Sequence, residues 1–129
     1  MALKILIVDD SPVMRRMLKR ALGMARLPLG QVLEADEGTQ ALRVLARVWV
    51  DLVLSDIHML PMNGIELVER MAADRNLSSI PVIVVSTERG EPRIERLRQF
   101  GVRGFLNKPF QPEALGRLAA SALGIEERP

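Results

Sequence analysis

Apolar and polar positions follow two alternating periods along the chain. Short apolar runs bounded by turn-forming residues recur about every 25 residues, and between them apolar side chains fall at helical spacing. KILIV (4–8) reads as a buried strand. Asp9 and Asp10 end it, and Ser11 before Pro12 has the form of an N-cap with proline at the first helical position. Val13, Met17, Leu18, Ala21, Leu22 and Ala25 then predict a helix with one apolar face turned to the core. The Pro28–Gly30 loop leads to a short strand, Gln31–Ala35, and Gly38 precedes a helix over Thr39–Arg47 whose Ala41, Leu42 and Leu45 point inward.

Val50–Ser55 is the central predicted strand; it runs into Asp56, and Pro61, Asn63 and Gly64 then force a turn. Ile65, Leu67, Val68 and Met71 supply a helix after Gly64. PVIVVS (81–86) is a second buried strand, β-branched after its proline. Pro92–Phe100 predicts a helix ended by Gly101, with Ile94, Leu97 and Phe100 apolar, and Arg103–Leu106 a short strand leading to Lys108 and Pro109. Pro112–Leu123 is the last helix, stopped by Gly124, and residues 125–129 form a short tail whose EERP segment (126–129) is expected to fray. Strands alternating with helices predict an α/β fold: a doubly wound, five-stranded parallel sheet with right-handed crossovers, as one domain over residues 1–124. A chain of 129 residues is long enough for one real core and too short for two comfortable ones.

Composition narrows the chemistry. There are no cysteines, which removes disulfides, thiolate catalysis and cysteine-based zinc sites. The run ILIV is cut short by Asp9 and Asp10, far from a signal-peptide core, and no apolar stretch approaches the ~18 residues of a membrane span. A soluble cytoplasmic protein is the expectation. Net charge is +2, and 3% of residues are aromatic. So small an excess, without stacking aromatics or a helix-turn-helix pattern, reads as solvated helix faces rather than a nucleic-acid surface.

The carboxyl ends of the predicted strands carry Asp9 and Asp10, Asp56, Ser86 and Thr87, and Lys108. A parallel sheet gathers those ends on one edge, where ligands bind. Taken singly, each group reads as a helix cap or a surface charge; their coincidence at one edge favours a site. Three carboxylates there repel one another without a cation, and oxygen-only ligation suits Mg²⁺. His58 is the sole histidine and makes a poor zinc site alone. An ionised Asp56 can attack phosphorus to give an aspartyl phosphate, with Lys108 and the Ser86 hydroxyl meeting the phosphoryl oxygens. No glycine-rich phosphate loop is present for a nucleoside triphosphate.

In this order and spacing, the acidic pair of ILIVDDS, the Asp of LVLSDIHM, the hydroxyl after VIVV and the lysine of FLNKPF resemble the receiver domain of two-component response regulators. The resemblance covers the whole chain and is to the single-domain, CheY-like kind. It implies a flavodoxin-like, CheY-like (βα)5 fold and a stand-alone phosphoprotein of a signalling pathway, with chemotaxis or motility as the pathway suggested. Asp56 would take its phosphoryl group from a histidine kinase or histidine phosphotransfer protein. Asp10 and Asp56 would ligate Mg²⁺ through their carboxylates, Asp9 mainly through water and His58 through its backbone carbonyl. Lys108 and Ser86 would bind phosphoryl oxygens, with a cis peptide before Pro109. Such a domain is not an enzyme, although it can catalyse its own phosphorylation and dephosphorylation.

The resemblance also implies a switch. Phosphorylation would draw Ser86 and its loop, with Thr87, inward, and Phe105 would follow into the vacated space. The output face would be the helix at 91–100, the strand at 103–106 and the last helix. From Glu88 to Arg103 there are five Arg and three Glu, which suits a downstream target with an acidic surface. The first helix carries Arg15, Arg16, Lys19, Arg20 and Arg26 with no acid between Ser11 and Leu33, and would help dock the kinase or a phosphatase. A monomer or weak dimer is expected. Three positions depart from the family pattern: Leu60 stands where proline is usual and Pro61 follows it, Thr87 replaces a small residue, and Phe105 stands where many relatives carry Tyr. His58 and Glu88 occupy positions that tune phosphoryl lifetime in the family.

Three rival readings remain. A phosphorelay shuttle or phosphate sink would use the same chemistry without a target. A haloacid-dehalogenase-like phosphohydrolase also uses an Asp nucleophile with Mg²⁺, but places it in a DxD motif after the first strand, whereas Asp9 and Asp10 are adjacent. A pseudo-receiver acting only as an interaction module is opposed by intact Asp9, Asp10, Asp56 and Lys108.

Overall fold

The computed structural model describes residues 1–87 and 90–128. Strands β1 (Leu3–Val8), β2 (Leu29–Ala35), β3 (Leu52–Ser55), β4 (Val82–Ser86) and β5 (Gly104–Asn107) alternate with helices α1 (Pro12–Met24), α2 (Gly38–Arg47), α3 (Gly64–Ala73), α4 (Glu91–Gln99) and α5 (Pro112–Leu123). All strands are parallel, in the order β2-β1-β3-β4-β5. The doubly wound (βα)5 expectation is met. No described helix is long and apolar enough to cross a membrane.

Strand periodicity divides the core in two. Leu6, Val8, Val53, Val82 and Val84 face α2, α3 and α4, where Leu45, Leu67, Val68, Met71 and Leu97 meet them. Ile5, Ile7, Leu52, Leu54, Ile83 and Val85 face α1 and α5, against Leu18, Ala21, Leu22, Leu115 and Ala119. Alternate side chains of a strand point to opposite faces, so a sheet covered on both sides needs continuous apolar runs. Each such Leu, Ile or Val contributes about 1.5–3 kcal/mol by leaving water.

Caps fix where the helices start. The Ser11 hydroxyl accepts the Met14 N–H at 3.1 Å, with Pro12 at the first helical position. Asn63 and Glu66 form a reciprocal capping box at the start of α3. Gly124, at φ +69°, ends α5 in the left-handed conformation that glycine adopts without strain.

Three expectations are corrected. Val13 and Met17 do not join the apolar face of α1: they are 57% and 50% exposed. Met14, Leu18, Ala21, Leu22 and Ala25 form the packed stripe, and at ~100° per residue positions 13, 17, 20 and 24 make a separate stripe turned away from it. β2 begins at Leu29 rather than Gln31, because the register with β1 skips Gly30, where a Cβ would lie 2.9 Å from the Ala2 Cβ. The described part of the EERP tail is tied down at Arg128 rather than frayed: Arg128 N–H donates to Arg26 O at 2.7 Å, after Ile125 N–H has closed on Ala120 O at 3.0 Å.

Candidate functional site

The strand ladders run one residue past the strand ends and thereby align the chemical groups. Asp9 N–H donates to Ala35 O at 3.1 Å, Asp56 N–H to Val8 O at 3.0 Å and Lys108 N–H to Ser86 O at 3.0 Å. Asp9 and Asp56 are 1% and 7% exposed, whereas Asp10 faces solvent. One carboxylate oxygen from each of the three lies within 4.8 Å of the other two.

The two buried carboxylates are held on both oxygens. Asp9 Oδ1 accepts the Ser11 N–H at 2.9 Å, and its Oδ2 accepts Lys108 Nζ at 2.8 Å. Asp56 Oδ1 accepts the Ile57 N–H at 2.7 Å, and Lys108 Nζ donates to its Oδ2 at 3.3 Å. Lys108 therefore bridges β1 and β3 from the end of β5. One ammonium does not neutralise three carboxylates. The oxygen-only donors and the residual negative charge fit a hard divalent cation such as Mg²⁺.

Behind this pocket, Arg15 Nη1 donates to the Asp9 carbonyl at 2.6 Å and its Nε to Glu34 Oε1 at 2.9 Å. Lys19 Nζ reaches Glu34 Oε2 at 3.3 Å. Burial pushes the Glu34 carboxyl up, but hydrogen bonds from Arg15 and Lys19 and their positive charge outweigh it and hold the group below the usual carboxylate range.

The loop after Asp56 is pinned at several points. Gly64 N–H donates to Ile57 O at 2.9 Å, and a Cβ on Gly64 would lie 2.0 Å from the Asp56 carbonyl oxygen, so only glycine fits. Gly38 N–H donates to Met62 O at 2.9 Å, and Met62 N–H returns to Glu37 Oε1 at 3.3 Å. Glu37 also accepts the Thr39 and Gln40 N–H groups at 2.7 and 3.2 Å, capping α2. Burial raises the Glu37 carboxyl, yet the donated N–H groups prevail and lower it. Leu60, at the position where the family has proline, is exposed, and both Leu60–Pro61 and Lys108–Pro109 are cis. The cis peptide before Pro109 is the one the resemblance implied.

Ser86 is buried at the end of β4, beside its register partner Asn107, and Thr87 is exposed. Phe105 is half-buried on β5, packed on the core under α2, α3 and α4, with the Arg98 guanidinium 5.3 Å from its ring centroid. His58 is exposed and lines an open cleft of about 790 Å³ with Asp10, Met59, Ile65 and Arg93. Glu88 lies outside the described residues. The structure thus gathers Asp9, Asp10, Asp56 and Lys108 into one contact set, places Ser86 at the next strand end, and leaves Phe105 a strand away.

Glu37 escaped the sequence reading, and Arg15, which that reading placed on a docking face of the first helix, is instead bound to the Asp9 carbonyl and Glu34. Glu37 stands directly before the first helical residue, a weak signal because shorter acceptors are the preferred caps. The bracing role of Arg15 had no signal, since its acceptor is a main-chain carbonyl that the Asp9–Ser11 turn presents.

The response regulator receiver domain family matches residues 5–120. The chemotaxis protein CheY1 of Helicobacter pylori is 36% identical over 126 residues, covering 97% of this chain and all of that protein (100%). The chemotaxis protein CheY of Pseudomonas aeruginosa is 39% identical over 113 residues, covering 88% of this chain and 90% of that one. Among solved structures, the chemotaxis response regulator CheY4 of Vibrio cholerae is similar with a TM-score of 0.84 at 28% identity, over 95% of this chain and 100% of that chain. Receiver domains are signalling phosphoacceptors that bind Mg²⁺ at an acidic pocket and interact with histidine kinases and downstream targets. This chain belongs to the response regulator receiver domain family.

Proposed function

We propose that the protein is a Mg²⁺-dependent phosphoacceptor switch of a chemotaxis or motility pathway, with Asp56 as the acceptor. The observation that carries the reading is Lys108, whose ammonium bridges two buried carboxylates in a pocket of three. A lone pair on an Asp56 oxygen attacks phosphorus, the P–N bond of a phosphohistidine donor breaks, and its electron pair leaves with the imidazole, which takes up a proton. Lys108 turns from Asp56 to a phosphoryl oxygen, and the Ser86 hydroxyl donates to another. Asp9, Asp10, Asp56 and the His58 carbonyl would hold Mg²⁺, whose charge offsets that of the phosphoryl oxygens when bound.

The character of two surfaces supports a choice of partners within this reading. On α1, exposed Val13 and Met17 lie among Arg16, Lys19 and Arg20, a mixed apolar and basic face for the kinase or phosphotransfer protein. The Arg-rich α4–β5–α5 face serves a target with an acidic surface. Residues 1–124 act as the receiver unit, with 125–128 docked against it. The relatives from Helicobacter pylori and Pseudomonas aeruginosa, named for chemotaxis, support the pathway.

Intact mass after incubation with acetyl phosphate and Mg²⁺ tests the chemistry. One phosphoryl adduct is expected, lost in Asp56→Asn and in chelator. An unmodified wild type, even with a histidine kinase supplied, would overturn the reading in favour of an interaction module.

A further inference from the structure

We infer that Glu37 is a positioning residue for the magnesium site: its side chain, one methylene longer than that of aspartate, caps α2 and at the same time holds the loop that carries His58. The inference rests on the receiver reading above, which gives the His58 backbone carbonyl to Mg²⁺.

Capping alone does not call for a glutamate. Asp, Asn and Ser are the preferred acceptors at a helix start, since a short side chain turns back onto the second and third N–H groups. Glu37, buried at the start of α2, meets those groups on Thr39 and Gln40 at 2.7 and 3.2 Å. Its Oε1 makes a further contact, accepting the Met62 N–H at 3.3 Å from 25 residues along the chain. Gly38 N–H closes the pair by donating to Met62 O at 2.9 Å. The approach is so close that a Cβ on Gly38 would lie 2.5 Å from Met62 Cγ. Both main-chain polar groups of Met62 are thus bound to the start of α2.

At the other end of the loop, Ile57 is bound through both of its own groups, its N–H to Asp56 Oδ1 at 2.7 Å and its carbonyl by Gly64 N–H at 2.9 Å. His58 lies between these two anchors. The near anchor fixes where the segment begins, and the far one fixes its heading, on which the direction of the His58 carbonyl depends. The buried Met59 side chain is a third hold, so release of Met62 loosens that carbonyl rather than removing it. A group bonded directly to a metal ligand is worth about 10–100-fold in metal affinity. Glu37 acts at one remove, through the main chain, and its hold on Met62 should be worth about three- to ten-fold.

Glu37→Asp isolates this role, because it keeps the charge and the cap while the Met62 N–H falls out of reach of the shorter side chain. Ile80→Val, a core truncation ahead of β4 at the opposite edge of the sheet, is the comparator for lost stability alone. The full chain is titrated with Mg²⁺ and followed by its backbone amide NMR signals. In metal-free Glu37→Asp the His58 and Met62 signals should move. Its Mg²⁺ dissociation constant should rise about three- to ten-fold, while that of Ile80→Val stays at the wild-type value. The Mg²⁺ concentration that half-saturates phosphorylation by acetyl phosphate should rise by the same factor. A wild type that takes the adduct, beside a Glu37→Asp that binds Mg²⁺ no more weakly than Ile80→Val, overturns the inference alone. A wild type that takes no adduct overturns the receiver reading and the inference with it, so the two failures are told apart by mass.

Discussion

The half of the site edge built on β1 and β3 is held quite differently from the half built on β4 and β5. On the first, both oxygens of Asp9 and of Asp56 are engaged, α1 and α3 open on side-chain caps, and the Glu37–Met62 clasp fastens the loop after Asp56 to α2. On the second, α4 opens at Gly90 without a side-chain cap, and Leu97 is its buried apolar residue among those described. Exposed side-chain contacts join it to its neighbours: Arg96 to Glu69 and Arg98 to the Phe105 ring. The acid half is over-determined and so holds charge in one geometry. Lys108 apart, which ties the end of β5 to the acid half, these exposed contacts of α4 are worth little individually, which suits a part that must move.

The sharpest way to break the contrast is Gly64→Ala. A Cβ 2.0 Å from the Asp56 carbonyl meets backbone that cannot yield, and a loss of about 3 kcal/mol is expected in urea unfolding. A near-neutral result would show that the acid half is not rigid.

Glu37→Gln comes next. It puts an amide group among three N–H donors and should cost about 1–3 kcal/mol at neutral pH. The lowered carboxyl also sets a pH dependence. A group whose folded pKa lies below its unfolded value of about 4.3 stabilises fully above that value. That stability is lost as pH falls through the folded value. Glu34 acts in the same direction. Glu37→Gln should therefore narrow the stability gap between pH 7 and acid; an unchanged gap would remove Glu37 from the clasp.

The smallest effect belongs to the other half. Arg96→Ala breaks an exposed pair and should cost less than about 1 kcal/mol, read by the same unfolding measurement. A loss as large as that of Gly64→Ala would mean that α4 is as firmly fixed as the acid half.

Much of this is legible in the sequence. PVIVVS and KILIV had to be buried strands because both faces of a parallel sheet are covered, and Pro112 and Gly124 bounded α5 to the residue. The stripes of α1 were misread because Val13 and Met17 share helical spacing with the core residues, and spacing alone does not say which way a helix is rotated. Gly30 hid the true start of β2 because a skipped register position leaves no sign in composition. The candidate site was legible as residue types at strand ends, since parallel topology brings those ends together whatever the loops do.

The sequence alone determined the order of the elements, the edge on which Asp9, Asp10, Asp56, Ser86 and Lys108 would meet, and the oxygen-only character of the donors. These follow from local periodicity and from the fixed sense of parallel crossovers. Only the tertiary structure decided that Lys108 bridges Asp9 and Asp56, that Glu37 and Arg15 brace the loops behind them, and that Arg98 lies over Phe105. Each joins groups far apart in the chain through a few ångströms of side-chain reach, which depends on how helices and loops settle on the sheet.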